Sequence, residues 1–279
     1  MTSAEGLTVS DDLPLGKDSP YVTRYTPSLL RSIERADSRT PLGLDTLLPF
    51  SGEDGWTCYE FSWLNARGKP QVAVIRFQVP CASSCIIESK SLKLYLNSFA
   101  QTTFASRTEL LTTLDSDLAL AFRAPAIVSI LDVEQTPEPV AQLPGLCLDH
   151  LDIDVDCYSH DPGLLKLEES GTIAREAVHS HLFRSVCPIT GQPDWASVMI
   201  EYFGPRIDHE ALLRYLVSFR THAAFHESTI EQIFMDIIRQ CHPDQLTVYG
   251  RFTRRGGIDI NPFRSTDETV APAIRLPRQ

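Results

Sequence analysis

The sequence predicts an α+β fold made of two similar halves, and three observations carry that expectation. Short apolar stretches of strand character come in pairs across Gly- or Pro-bearing turns. Longer stretches with apolar residues at helical spacing follow each pair. The order strand, strand, helix, helix, strand, strand then recurs in the second half, without a strong repeat in the residues themselves. Antiparallel hairpins with paired helices on one face make an α+β domain. The sheet edges of such a domain need covering, which favours an oligomer.

Residues 1–50 read as an extended arm. Pro14, Pro20, Pro27 and Pro41 interrupt it, and Ser28 is placed to cap a short helical patch at 29–33. Residues 56–64 and 71–80 read as strands joined by a turn at 65–70. Helices are expected over 89–99 and 107–122, the second with Leu110, Leu111, Leu114 and Leu118 in register. Residues 124–134 alternate as a strand. The Pro- and Asp-rich segment 135–163 joins the halves, with a further strand at 151–158. In the second half, strands at 172–184 and 195–203 flank a loop at 186–194. One helix starts after Asp208 as N-cap and runs to about His222; Ser228 and Glu231 have capping-box spacing and open another to about Cys241. Residues 246–253 and 257–264 form a hairpin across 254–257, where Gly256 and Gly257 permit positive φ. The expected units are an arm at 1–50, a first domain at 51–165 and a second at 166–279.

Hydrophobic residues at 43% and charged residues at 22% fit a soluble globular protein with a core of useful size. A formal net charge of −11 speaks against a general nucleic-acid binder but leaves room for a local basic pocket. The first twenty residues have no basic and then apolar run, so no signal peptide is expected. Apolar runs such as 72–75 are far too short to span a bilayer. Seven cysteines at irregular spacing suit free thiols in a reducing compartment, and a cytoplasmic protein is expected.

Four segments are candidates for chemistry. ESKSLKLY at 88–95 reads as an amphipathic helix start, with Glu88 near the N-terminus and lysines on a solvated face. Its alternative is a polar pocket, with hydroxyl and ammonium donors for phosphate and a carboxylate for a purine edge. Cys187 lies in SVCPITGQPDW at 185–195. A lone cysteine is usually a small buried hydrophobe, yet a Pro- and Gly-bearing loop after a strand is also where nucleophiles are presented. Asp194 in the same loop is able to reach the thiol. Phe225-His226-Glu227 reads as an interhelical turn with a first-turn carboxylate. His222 and His226, four apart, invite a zinc reading, but the segment lacks the glutamate of HExxH. Cys81 and Cys85 likewise lack a second pair. Arg254-Arg255-Gly256-Gly257 is either a solvated hairpin turn or a guanidinium and close backbone for a phosphate. Neither GxGxxG nor a Walker A sequence occurs, so a nicotinamide cofactor would need another mode of binding.

In the order ESKSLKLY, SVCPITGQPDW, FHE and RRGGIDINPFRS, these segments resemble the long-chain 7-cyano-7-deazaguanine reductases, the QueF family. The resemblance runs from Gly16 through Arg264, including LGKDSPYVTRYTPSLL, and so covers nearly the whole chain. ESKSLKLY matches the family's signature, and Cys187 with Asp194 matches its catalytic pair. The resemblance implies tandem tunnelling-fold domains, a homodimer, NADPH as cofactor and no metal, with no nucleic-acid or membrane partner. It implies four-electron reduction of the nitrile of 7-cyano-7-deazaguanine to 7-aminomethyl-7-deazaguanine, through a covalent thioimide, in queuosine biosynthesis for tRNA modification. Cys187 would be the nucleophile and Asp194 the proton donor. Ile87 through its backbone, Glu88, Ser89, His226 and Glu227 would hold the substrate, with His226 also assisting proton transfer. Ser89, Lys90, Arg255 and Gly256 would contact NADPH. Two rivals are a zinc-dependent tunnelling-fold cyclohydrolase or pterin enzyme, and a non-catalytic purine or tRNA binder. The acidic charge speaks against tRNA, and the pairing of Cys187 with Asp194 against a mere binder.

Overall fold

Alternating burial along the strands and helical periodicity between them build one extended sheet with helices on one face. The structure is a computed structural model that describes residues 21–44, 47–134 and 140–279. The expected arm's first twenty residues, including part of LGKDSPYVTRYTPSLL, lie outside it, as do residues 135–139 of the joining segment. In chain order the elements are β1 (Ser32–Glu34), α1 (Ala36–Arg39), β2 (Ser51–Leu64), β3 (Pro70–Pro80), β4 (Cys85–Ile87), α2 (Ser89–Asn97) and α3 (Arg107–Phe122). There follow β5 (Ile127–Leu131), β6 (Leu146–Cys147), β7 (Ile173–Ser180), β8 (Arg184–Val186), β9 (Pro193–Pro205), α4 (His209–Ser218), α5 (His226–Cys241), β10 (Gln245–Phe252) and β11 (Ile258–Ser265).

The α+β class is as expected. The large sheet runs β5-β3-β2-β11-β10-β9-β7-β6, with β8 paired to β9. Its ladders are antiparallel except for the short β6–β7 pair. The halves meet at the β2–β11 ladder, where Cys58 faces Ile258 and Ser51 faces Ser265. Two large buried clusters flank that seam. One joins Trp56, Phe77 and Phe99 to α3 through Leu110, Leu114 and Leu118; Leu111, expected in the same register, is instead 37% exposed. The other packs Val198, Ile200 and Val248 against Phe219 and Phe234. Each fully buried side chain of this kind contributes about 1.5–3 kcal/mol.

Four expectations are corrected. Residues 29–33 form no helix: Pro27–Leu29 is a 3₁₀ turn without a side-chain cap, so Ser28 caps nothing, and β1 follows. Ser32 pairs with Ile87 there, a non-local partner that local pattern does not reveal. Residues 151–158 form no strand. Their alternation is real, but Leu151 and Ile153 pack onto the second core as an extended cover without a ladder. The last strand of the first half is instead the short β6, which pairs with β7. The capping box at Ser228 is unused, because α5 opens at His226 and the Ser228 hydroxyl donates to the Phe225 carbonyl. Finally, α4 ends at Ser218 rather than near His222 and tightens into a 3₁₀ turn at Phe219–Thr221. Its start is as read: the Asp208 carboxylate accepts from the Ala211 N–H at 2.8 Å.

Candidate active site

β8 and the start of β9 set the thiol and the carboxylate side by side. Val186 is clamped to the chain before α5, donating its N–H to the His222 carbonyl at 2.9 Å and accepting from the Ala224 N–H at 3.3 Å. Cys187 follows at the strand end. Its N–H donates to the Gln192 carbonyl at 2.8 Å, and its carbonyl accepts from Gly191 at 3.0 Å. Gly191 has φ +66°, which closes this turn in a region that other residues adopt at a cost. The turn returns the chain so that Asp194 pairs opposite Ser185. Cys187, Asp194, His226 and Glu227 thereby line one narrow cavity, together with Ile87, Ser89 and Arg255. Trp56 and Ile260 add walls from β2 and β11, so both halves of the chain contribute.

Burial dominates the electrostatics of this cavity. Asp194 is pushed above the usual carboxylate range by desolvation, while Arg255 and Lys93 pull it back only in part. Its Oδ1 lies 3.3 Å from Arg255 Nη1 and 3.8 Å from His226 Nε2. His226 packs edge-on to Phe252, ring centroids 4.0 Å apart. Desolvation, then the nearby Arg255 and Lys93 charges, push it down to about 3, so its ring is neutral at neutral pH. Glu227 is pushed up to about 7, by burial first and then by the Asp54 charge. Among the described residues, Glu227 Oε1 and Trp56 Nε1 are buried without a hydrogen-bond partner. An acceptor left unsatisfied in the interior costs about 1–3 kcal/mol. Such a group lining a cavity is a standing demand for a donor from a ligand.

The ESKSLKLY segment divides between structure and site. The Glu88 carboxylate is fully buried and accepts from the Lys90 N–H at 2.6 Å and the Ser91 N–H at 2.7 Å, so it is the N-cap of α2. Where a substrate contact is implied for Glu88, the structure thus gives its side chain a capping task and sets Ile87 and Ser89 along the cavity. Lys90 contributes its backbone N–H to the same cap.

Lys93, which local sequence pattern does not distinguish from surface charge, stands one helical turn beyond Ser89. Its side chain makes no hydrogen bond or ion pair among the described residues, and burial, with Arg255 nearby, lowers its pKa. A second cavity continues from the first past Ser89, Lys93, Thr253 and Arg255. A third carries it on to Gly256, Gly257 and Tyr21. Gly256 and Gly257 hold φ +61° and +72°, as the hairpin predicts. A Cβ on Gly256 would stand 3.2 Å from Lys93 Nζ, so the glycine keeps the space beside that ammonium open. This groove concentrates positive charge in a chain of net charge −11.

The remaining signals lie elsewhere. His222 packs on His160, centroids 5.4 Å apart, and is pushed down to about 4 by burial. All seven cysteines are free. Among the described residues, no helix is long and apolar enough to cross a membrane.

Two family models match the chain: nitrile reductase, 7-cyano-7-deazaguanine-reductase N-term, over residues 21–130, and QueF-like protein over residues 193–271. An NADPH-dependent 7-cyano-7-deazaguanine reductase of Burkholderia lata is 53% identical over 93% of this chain and 95% of its own length. The Chromohalobacter salexigens protein of the same name is 49% identical over 95% of this chain and 96% of its own. A solved structure, the archaeosine synthase QueF-Like in the apo form, aligns with 33% of this chain and 91% of its own at 20% identity, with a TM-score of 0.30. The chain belongs to the QueF family of 7-cyano-7-deazaguanine reductases.

Proposed function

We propose that this chain is an NADPH-dependent oxidoreductase that reduces 7-cyano-7-deazaguanine to 7-aminomethyl-7-deazaguanine in queuosine biosynthesis. The observation that carries this reading is one cavity holding a buried thiol, Cys187, a carboxyl of raised pKa, Asp194, and an unpartnered buried carboxylate, Glu227. Relatives 49% and 53% identical carry that activity in their names.

A nitrile carbon is a modest electrophile, and a thiolate adding to it splits a difficult reduction into easier steps. Asp194 takes the Cys187 proton as sulfur bonds to carbon and delivers it to the nitrile nitrogen, giving a covalent thioimide. The elevated pKa of Asp194 suits both halves of that transfer. Glu227 accepts the adjacent N1–H and 2-amino donors of the guanine-like edge as a bidentate pair. The neutral His226 ring, held by Phe252, serves as a hydrogen-bonding partner for later proton movements. Ile87 holds the heterocycle through its backbone and Ser89 through its side chain, while Glu88 supports both by capping α2.

The groove fits a phosphorylated dinucleotide: it offers Ser89, Lys93 and Arg255, and a glycine at 256 that leaves room beside the ammonium. Lys90 and Gly256 complete the set that would hold NADPH. When bound, that cofactor supplies hydride, and nitrile to amine requires two of them. The architecture is read as tandem tunnelling-fold domains at 51–165 and 166–279 behind an arm at 1–50. A homodimer, whose contacts would cover the β5 and β6 edges, completes the assembly.

Mass spectrometry tests the reading. Protein mixed with the nitrile and no NADPH gains one substrate mass, and Cys187→Ala gains none. Adduct persisting in Cys187→Ala assigns the chemistry to another thiol and overturns the proposal. With NADPH added, two cofactors are oxidised per amine formed.

A further inference from the structure

The sheet face turned away from the helices carries a second group of reactive side chains. Along β7 the Val178 side chain joins the helix-side core, so His179 points to the opposite face, and His181 two residues on continues there. Cys147 in β6 stands directly beside His179 in the parallel register. Ligand atoms of Cys147, His179 and His181 all lie within 4.8 Å of one another. They border a cavity of about 600 Å³ that shares no lining residue with the Cys187 cavity.

We propose that Cys147, His179 and His181 bind a zinc-like divalent cation, with the fourth position open to this cavity. The resemblance implied no metal, so this site departs from that expectation, and it shares no lining residue with the Cys187 cavity.

Two features beyond proximity support the assignment. The first is tautomer. His179 Nδ1 lies 3.0 Å from the Pro144 carbonyl, which only accepts, so the proton sits on Nδ1 and the lone pair on Nε2. His181 Nδ1 lies 2.7 Å from Ser197 Oγ, a hydroxyl that accepts when Nδ1 carries the proton, and in that tautomer Nε2 is free as the ligand atom. Metal-ligating histidines are held in this way, the second ring nitrogen bonded to a carbonyl or other polar group. The second is support around the ring. The Asp149 carboxylate accepts from the His181 N–H at 3.0 Å and the Ser180 hydroxyl at 2.6 Å, which pins the strand end carrying His181.

One thiolate and two imidazoles select zinc or cobalt over magnesium and calcium. Around one tetrahedral zinc, neighbouring ligand atoms stand about 3.3–3.6 Å apart. Closing from the observed spacing takes about an ångström of side-chain rotation. Binding converts the Cys147 thiol to thiolate and releases its proton to solvent.

The probe is Co²⁺ titrated into the full-length protein, with Zn²⁺ as competitor. The expected result is one equivalent bound per chain, four-coordinate visible bands, and a near-ultraviolet thiolate-to-cobalt band that Zn²⁺ abolishes. The band should be lost in Cys147→Ser and retained in Cys187→Ala. His179→Ala and His181→Ala should lose the stoichiometric site, and Ser197→Ala should weaken binding roughly tenfold through the orientation of His181. Near-ultraviolet circular dichroism checks that each variant is folded. No thiolate band in the wild type, or a band unchanged in Cys147→Ser, overturns the site.

Discussion

Glu227 is the residue where recognition and burial oppose each other. Its carboxyl is pushed up to about 7 by burial and by the Asp54 charge, and its Oε1 lacks a partner among the described residues. Only the ionised form accepts two donors from a heterocycle edge. Substrate affinity should therefore rise with pH up to about 7 and then level, because below that value a proton must be removed before binding. Glu227→Gln should weaken substrate binding by about 1.5–3 kcal/mol, the worth of a hydrogen bond to a charged group, and should abolish that pH dependence. Isothermal titration across pH 5.5–8.5, with Cys187→Ala as background to block covalent capture, measures both effects; a flat profile in the Glu227-intact protein would remove the residue from recognition. Asp194 makes a different demand. Asp194→Asn preserves shape and removes the transferable proton, so turnover should fall by about 10²–10⁴-fold. Affinity for the nitrile should change much less, and equal losses in kcat and in binding would make Asp194 a substrate anchor instead.

At the scale of elements, α2 and the β10–β11 hairpin build the cofactor groove between them. Ser89 and Lys93 share one face of α2 because they are four residues apart. The sequence pattern held that relation, but lysine at such spacing is also what a solvated helix face shows, so Lys93 was not distinguishable from surface charge. Its burial and lack of a partner separate it. Lys93→Met should raise the KM for NADPH about tenfold or more, the loss of one charge-assisted contact, and should change the KM for the nitrile little. Steady-state kinetics with each substrate varied decides this, and an unchanged KM for NADPH would leave Lys93 outside the cofactor site.

The helices and hairpins with strong local signals were legible: Asp208 is a cap, and Gly256 and Gly257 turn the chain. Cys187, Asp194, His226 and Glu227 converge as the motifs imply. What local pattern missed depends on distant partners. Residues 32–34 become a strand only because 85–87 lie beside them, and 151–158 alternate without acquiring a ladder. Glu88, read as the carboxylate at a helix start, caps α2 in the fold.

The whole molecule is tied across its seam by buried charge. Arg264 of β11 contacts Asp54 of β2 at 2.9 Å and Glu231 of α5 at 2.8 Å. Arg35 pairs with Asp54, and Arg39 reaches Glu231 at 2.7 Å, which brings the N-terminal segment onto both halves. The Arg39–Glu231 pair spans 192 residues, so no reading of local sequence reveals it. Desolvation opposes ionisation of Asp54 and Glu231, but Arg264 and its fellow guanidiniums outweigh it and hold both below their ordinary values of 3.8 and 4.5. Carboxylates of lowered pKa contribute stability that is present above those ordinary values and lost as pH falls through the folded ones. Glu227, one turn before Glu231 on α5, has the opposite sign. Its raised pKa contributes stability present below 4.5 and lost as pH rises through about 7. Stability should therefore be greatest near pH 4.5, with an acid limb below it set by the network and a falling limb between about 4.5 and 7 to which Glu227 contributes. Glu231→Gln leaves Arg39 and Arg264 short of a counter-charge and should cost about 3–5 kcal/mol at pH 6, with a shallower acid limb. Glu227→Gln should instead raise stability at pH 8 and leave it nearly unchanged near pH 4. Urea midpoints taken across pH for the three proteins separate the limbs. If both variants shift the same limb, the two carboxyls titrate as one unit, and the division of labour along α5 between holding the halves together and holding the substrate is wrong.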